Sequence, residues 1–135
     1  MIDIKGPEAV RDHRSAPFYD AAARGELLIR RCSACGHALA PEVRTCSGCG
    51  GQELGWMNAC GAATLVSWAV VTSPPLPAFG DQVPFPVGLV ELAEGPWLHA
   101  RIVPGPGVSL HRGMPLSVAF AQPAEGEAYP VFVAT

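Results

Sequence analysis

The first apolar pattern along the chain has helical spacing. In the segment SAPFYDAAARGEL, Phe18 and Ala22 lie four positions apart, so their side chains would share one face of a helix. Ser15 is a suitable capping residue, and Gly25 is a suitable end. We therefore predict one short helix here, preceded by a polar arm.

The rest of the chain carries its apolar residues in short runs that favour β-strands. Residues 27–32, LLIRRC, form the first run, and the others follow the cysteine-rich region. All are rich in Val, Leu or aromatic residues and are bounded by Gly, Pro or acidic turns, which is typical of strands. About five short strands over about 80 residues, without a second helix, predict a small closed barrel. The later runs are GWMNAC, ATLVSWAVVTS, FPVGLVELA, PWLHARIV, MPLSVAFA and PVFVAT.

Four cysteines between the helix and the later strands form two CxxC pairs. They are Cys32 with Cys35 and Cys46 with Cys49, and a glycine follows each pair. A CxxC turn directs two sulfurs at one point, and a glycine after it permits positive φ. Two such turns predict a tetrahedral zinc site, with iron as the main alternative because it accepts the same sulfur geometry. Four thiolates leave no open position, so we expect a structural metal that folds a ribbon too small to bury a core.

The distribution of charge limits the classes of partner. From residue 45 onward, two arginines stand against six acidic residues, and the whole chain has one lysine. Binding to a nucleic-acid backbone relies on many Lys and Arg contacts, so we do not expect a nucleic-acid partner. No run approaches the length of a membrane span, and the polar N-terminus lacks a signal-peptide pattern. These features predict a cytoplasmic protein without membrane contact.

The order of these elements resembles that of a known family. The resemblance covers roughly residues 16–134 and rests on APFYDAAARGELLIRRCSACG, CSGCG, CGAATLVSWAVV and FPVGLVEL. These pieces are similar to the zinc-ribbon plus OB-fold proteins, long labelled a domain of unknown function, that accompany thiolases and acyl-CoA hydratases. The resemblance implies a mainly β chain with an N-terminal helix, a rubredoxin-like zinc ribbon and a five-stranded OB-fold barrel. We place the arm and helix at 1–26, the ribbon at 27–54 and the barrel at 55–135.

The same resemblance implies a non-catalytic accessory subunit. Such a subunit would bind and stabilise, or bridge, a thiolase-like, aldolase or hydratase enzyme of acyl-CoA metabolism. An alternative is a stand-alone acyl-CoA-binding module, in which Arg30, Arg31 or Arg44 would meet the CoA phosphates; the same arginines are equally interpretable as solvated loop charges. A nucleic-acid-binding ribbon and barrel is a third, less favoured hypothesis.

Two further features outside the ribbon carry hypotheses. The proline-rich loop at 73–86 contains Leu76, Phe79 and Phe85, and it would either fold back on the barrel or offer an apolar docking surface for a partner or an acyl chain. Cys60 is the one cysteine outside the two pairs, and we interpret it as a buried small hydrophobe. A dyad of Cys60 with His99 is a weaker alternative, and we predict no catalytic residue.

Overall fold

The N-terminal part of the chain contains the helix. The computed structural model describes residues 9–73 and 84–135. Helix α1 (Ala16–Ala23) buries Ala21 and Ala22. Ser15 occupies the N-cap position as predicted, but its side chain makes no cap hydrogen bond, because its hydroxyl is engaged by the backbone N–H of Asp12 at 3.0 Å.

The helix packs against a three-stranded antiparallel sheet. In this sheet β1 (Leu27–Cys32) lies between β2 (Ala38–Leu39) and β3 (Leu54–Ala59). The backbone register places Arg30 of β1 opposite Trp56 of β3. The boundary predicted between residues 54 and 55 falls within β3, which pairs with β1; that division of the chain stays a prediction.

The remaining strands close into a five-stranded barrel with the order β4-β5-β6-β8-β7. Among the strands in the described residues of this barrel, β6 and β8 pair in parallel and the other neighbours are antiparallel. This confirms the predicted mainly β fold with a five-stranded barrel. The strands are β4 (Ala62–Val71), β5 (Phe85–Leu92), β6 (Trp97–Val103), β7 (Pro115–Ala121) and β8 (Tyr129–Ala134).

One hydrophobic cluster joins the barrel to the helix and sheet. Leu27 and Ile29 of β1 and Ala22 of α1 belong to the same buried cluster as barrel residues such as Leu116 and Phe132. Strand alternation accounts for this, since Leu27 and Ile29 lie two positions apart and both point to one face. The three-stranded sheet therefore packs against the barrel.

Gly61 makes the connection from β3 into the barrel possible. Its φ is +90°, and an added Cβ would lie 2.5 Å from Cγ1 of Val118. Its carbonyl accepts a 2.9 Å hydrogen bond from the Val118 N–H. Both the conformation and the close approach require glycine here.

Candidate metal centre and adjacent cleft

The two CxxC pairs form matching turns. The Gly36 N–H donates to the Cys32 carbonyl, and the Gly50 N–H donates to the Cys46 carbonyl, each at 2.8 Å. The glycines have φ of +79° and +77°. This confirms the expectation that a glycine with positive φ closes each turn.

The turns bring the four sulfurs to one point. All four Sγ atoms lie within 4.8 Å of one another, and the separations Cys32–Cys49 and Cys35–Cys46 are both 3.6 Å. At a zinc–sulfur distance of about 2.3 Å, tetrahedral sulfurs lie about 3.8 Å apart. The donor set and its dimensions therefore fit one tetrahedral metal ion, with all four positions supplied by protein.

Backbone N–H groups around the sulfurs favour thiolates. The pKa of Cys32 is lowered to about 6, with the backbone N–H of Cys35 as the largest cause and that of Ala34 adding to it. The pKa values of Cys35 and Cys49 are raised, because the backbone N–H groups that lower them are outweighed by hydrogen bonds with the neighbouring sulfurs, together with burial. In the second turn, the Gly48 N–H points at Cys46 Sγ at 3.3 Å. Hydrogen bonds that stabilise the ionised sulfur prepare it to bind a cation.

The ribbon around the sulfurs has very little apolar interior. Its buried cluster in the described part of the chain consists of Cys32, Leu39 and Cys46, with Val43 and Leu54 packed against it. A cluster of this size buries too little apolar surface to fold a segment of this length alone. The bonds from the cysteines to a metal would supply the missing stability.

The predicted arginines have different surroundings. Arg30 and Arg44 line one cleft of about 510 Å³, at the junction of the helix, the ribbon and the barrel. Arg31 is exposed and reaches instead toward Gly36, beside the first metal turn. Contact of any of these arginines with acyl-CoA stays a prediction.

The cleft also contains residues that the sequence analysis did not single out. Arg14 lines it beside Arg30, and Trp56 forms part of its wall. The Arg30 guanidinium lies 3.9 Å from the centre of the Trp56 ring. This pairing of residues 26 positions apart could not be predicted from local patterns, because it depends on the register of β1 with β3.

The other candidate residues do not assemble into a second site. Phe85 is buried, and the Arg101 guanidinium lies 4.4 Å from its ring centre; Leu76 and Phe79 lie outside the described residues. Cys60 is exposed rather than buried, which corrects its interpretation as a small hydrophobe, because it lies in the turn between β3 and β4. Its backbone N–H donates to Glu94 at 2.8 Å, and in residues 9–73 and 84–135 no hydrogen bond joins its thiol to His99.

The fold and the sulfur site together define a zinc ribbon followed by an OB-fold barrel. Residues 20–55 match the family model of the ChsH2 rubredoxin-like zinc ribbon domain, and residues 56–121 match that of the ChsH2 C-terminal OB-fold domain. The chain belongs to the ChsH2-type DUF35 family, which confirms the resemblance noted in the sequence.

Two curated relatives are similar to this chain. A protein of Thermomonospora curvata called a probable enoyl-CoA hydratase alpha subunit is 31% identical over 93% of this chain and 39% of its own length. A protein of Pyrococcus furiosus called a DUF35 domain-containing scaffold protein is 30% identical over 58% of this chain and 57% of its own length. The chain thus spans between about two fifths and three fifths of these relatives.

Two solved structures share the architecture. A chain of the structure described as the Ltp2-ChsH2(DUF35) aldolase has a TM-score of 0.78 and 31% identity, covering 92% of this chain and 96% of that chain. A DUF35 protein of unknown function from Sulfolobus solfataricus has a TM-score of 0.61 and 13% identity, covering 91% and 86%. The second structure supports the fold alone. No helix in residues 9–73 and 84–135 is long and apolar enough to cross a bilayer.

Proposed function

We propose that this chain is a non-catalytic accessory subunit of an enzyme of acyl-CoA metabolism. It would bind and stabilise, or bridge, a thiolase-like, aldolase or hydratase partner. The observation that carries the proposal is its similarity, over nearly its full length, to a chain of the Ltp2-ChsH2(DUF35) aldolase structure. The names of the curated relatives, one a scaffold protein and one a hydratase subunit, agree with this role.

The chemistry of the metal centre supports a structural rather than a catalytic role. Four cysteine sulfurs surround one point, so a bound ion would have no open position at which to activate water or polarise a carbonyl. A catalytic zinc typically keeps one position for water or substrate. The metal would therefore act by holding the ribbon in the shape that a partner recognises.

The barrel offers an apolar surface for such a partner. Trp68 and Val70 on β4 are 40% and 52% exposed, and they share one face of the strand because they lie two positions apart. Large exposed apolar side chains in a cluster tend to mark interfaces, and tryptophan is enriched among residues that dominate binding energy. The predicted docking loop begins directly after this strand.

Affinity purification from the native host tests the proposal. The tagged chain should retain a thiolase-like, aldolase or hydratase protein in near-stoichiometric amount, identified by mass spectrometry. A Trp68→Ser, Val70→Ser double variant should release much of that partner while keeping its metal and its melting temperature. Trp97→Ser is the control, since Trp97 is a tryptophan that is 51% exposed, somewhat more than Trp68, but lies on β6.

Two results would count against the proposal. Recovery of the chain alone, with its metal bound, would remove the accessory role. Turnover of an acyl-CoA by the isolated chain would remove the non-catalytic assignment.

A further inference from the structure

The cleft at the junction of the ribbon and the barrel contains a partly buried cation without a matching anion. Arg30 is stacked on Trp56, and one of its terminal nitrogens donates to the Leu54 carbonyl at 3.3 Å. Its Nε is buried and has no hydrogen-bond partner. Because a buried N–H without a partner is costly, this position calls for an acceptor.

A second cation makes the cleft more favourable for an anion. Arg14 lines the same cleft, and burial together with the nearby charge of Arg14 lowers the pKa of Arg30. The salt bridges found in residues 9–73 and 84–135 involve Arg11 and Arg24, not Arg14, Arg30 or Arg44. Two neighbouring guanidinium groups without carboxylate partners repel each other until an anion lies between them.

The acidic residues at the cleft do not fill this role. Oδ1 of Asp12 already accepts the backbone N–H groups of Arg14 and Ser15 at 2.9 and 2.8 Å, and Asp12 forms no salt bridge in the described part of the chain. Glu42 lines the cleft and is exposed, and it forms no salt bridge in the described part of the chain. In the described residues no carboxylate forms a salt bridge with Arg14 or Arg30. Apart from the Arg30 nitrogen that donates to the Leu54 carbonyl, their donors are left available.

The walls and volume of the cleft suit a small molecule. Phe18, Trp56 and Leu98 provide apolar or aromatic surface. The volume of about 510 Å³ lies within the range of about 300–1,000 Å³ that is usual for ligand sites. Such sites combine an apolar lining with a few polar groups that fix orientation.

We propose that this cleft binds a small organic oxyanion, a phosphate or carboxylate group carried on an apolar or ring-shaped body. Arg14 and Arg30 hold the oxyanion, since a guanidinium donates two parallel hydrogen bonds to such a group. Trp56 fixes the plane of Arg30, and the apolar wall takes the body of the ligand. This inference does not rest on the proposed accessory role, because it concerns the isolated chain.

Binding to the isolated, metal-loaded full chain tests the inference. Phenyl phosphate, benzoate and inorganic phosphate are titrated separately while the fluorescence of Trp56 is followed in a Trp68→Phe, Trp97→Phe background. Phenyl phosphate or benzoate should quench Trp56 and raise the melting temperature, and inorganic phosphate should bind more weakly because it lacks the apolar body. The stronger of the two organic anions identifies phosphate or carboxylate as the recognised group.

Substitutions locate the site. Arg14→Gln and Arg30→Gln should each weaken binding about tenfold or more, which is the scale of a lost hydrogen bond to a charged group. Arg30→Lys keeps the positive charge but removes the planar guanidinium, so it tests whether binding needs the paired hydrogen bonds as well as the charge. The matched control is Arg112→Gln, at an exposed arginine outside the cleft, which should bind as the parent does.

Two outcomes would overturn the inference. The first is the absence of binding by all three anions at millimolar concentration. The second is equal weakening by Arg112→Gln and Arg14→Gln, which would indicate non-specific attraction to positive charge. If the anions fail but Arg14→Gln releases the partner enzyme, the cleft binds a protein carboxylate instead, and the small-molecule proposal is wrong.

Discussion

The ribbon and the barrel are built from one chain but are stabilised in different ways. In the described residues, the ribbon's buried cluster contains two cysteines and Leu39. The barrel encloses a much larger cluster that includes Leu65, Ile102 and Phe132. Apolar burial is roughly proportional to area, so it is sufficient for the barrel but not for the ribbon, where metal coordination has to replace it.

Strand β1 belongs to both regions and couples them. Leu27 and Ile29 pack in the barrel cluster, whereas Cys32 at the end of the same strand is a metal ligand. Loss of the metal should therefore disturb the barrel through these side chains and through the other residues of the sheet and ribbon that pack against the same cluster. Those residues are Ala38, Ala40, Met57 and Ala59. The contrast between the regions gives a ranked series of tests.

The largest effect is expected from removal of one buried ligand. Cys46→Ser leaves three thiolates, and structural zinc sites in small peptides contribute about 10–16 kcal/mol of apparent binding free energy. We expect the ribbon to lose its metal and unfold, while the barrel keeps a separate, lower melting transition. Elemental analysis would report the metal and its identity, zinc or iron, and hydrogen exchange would report the two regions separately.

Cys60→Ser is the control for this experiment, because Cys60 lies outside the sulfur cluster and is exposed. It should change neither the metal content nor hydrogen exchange. Amide protection in the ribbon that survives Cys46→Ser would show that apolar packing, rather than the metal, holds that region.

The complementary test weakens the barrel. Leu116 is 1% exposed in the barrel cluster, and a buried Leu→Ala change costs about 2–5 kcal/mol. Leu116→Ala should lower the free energy of unfolding by that amount while the metal content is unchanged. Chemical denaturation checks this, with the 52% exposed Val70 changed to Ala as the control, for which about 0.5 kcal/mol or less is expected. Loss of the metal in Leu116→Ala would mean that the ribbon cannot hold its metal without an intact barrel.

The sequence predicted those features that depend on local patterns. The positive φ at Gly36 and Gly50 follows from the CxxCG turns, and the helix and the strand runs follow from apolar spacing. The four-cysteine site could be predicted because each CxxC pair places two ligands within four consecutive residues. Apolar spacing and turn chemistry depend on residues that are close together in the chain, so a sequence pattern is enough to predict them.

Features that depend on long-range register were missed. Arg30 meets Trp56 only because β1 pairs with β3 in one particular register. Arg14 lies in the same cleft as Arg30 only because the arm and the sheet both line it. Cys60 was expected to be buried on the basis of residue type, whereas its place in a turn exposes it. Which residues line a cleft is a property of the tertiary arrangement.

A smaller effect is expected at the connection between ribbon and barrel. Gly61→Ala adds a Cβ to a residue with positive φ, which costs about 1–2 kcal/mol. The new Cβ would also lie 2.5 Å from Cγ1 of Val118, a side chain whose χ1 is restricted. Gly107→Ala is the matched control, since Gly107 has φ of +74° but no atom within 4 Å of an added Cβ. Denaturant unfolding should show the larger loss for Gly61→Ala. Equal losses for the two variants would mean that Val118 moves aside without cost.

Val118→Ala separates the two contributions at Gly61. In a double-mutant cycle, the loss caused by Gly61→Ala should be smaller when residue 118 is alanine. The remaining loss should then approach that of Gly107→Ala, because only the backbone conformation is still unfavourable.

The smallest effect is expected at an exposed ion-pair network that links the arm, the helix and the barrel. Arg11 bonds Asp20 of α1 at 2.6 Å and Glu127, just before β8, at 2.7 Å. The hydrogen bond from Arg11 lowers the pKa of Glu127 below its ordinary value of 4.5. A carboxyl group whose pKa is lower in the folded state stabilises the fold above its ordinary pKa, and that stabilisation is lost as the pH falls through the lowered value.

Glu127→Gln should therefore lower the melting temperature slightly at neutral pH, and the difference from the parent should shrink as the pH falls below about 4.5. Added salt should shrink it as well, since exposed pairs are screened. Glu125→Gln is the control, because Glu125 is exposed two positions away and forms no salt bridge in the described residues. A difference in melting temperature that persists at low pH would mean that packing of the arm against the barrel, and not charge, causes the effect. At that contact the Glu127 N–H donates to the Ala9 carbonyl at 2.9 Å.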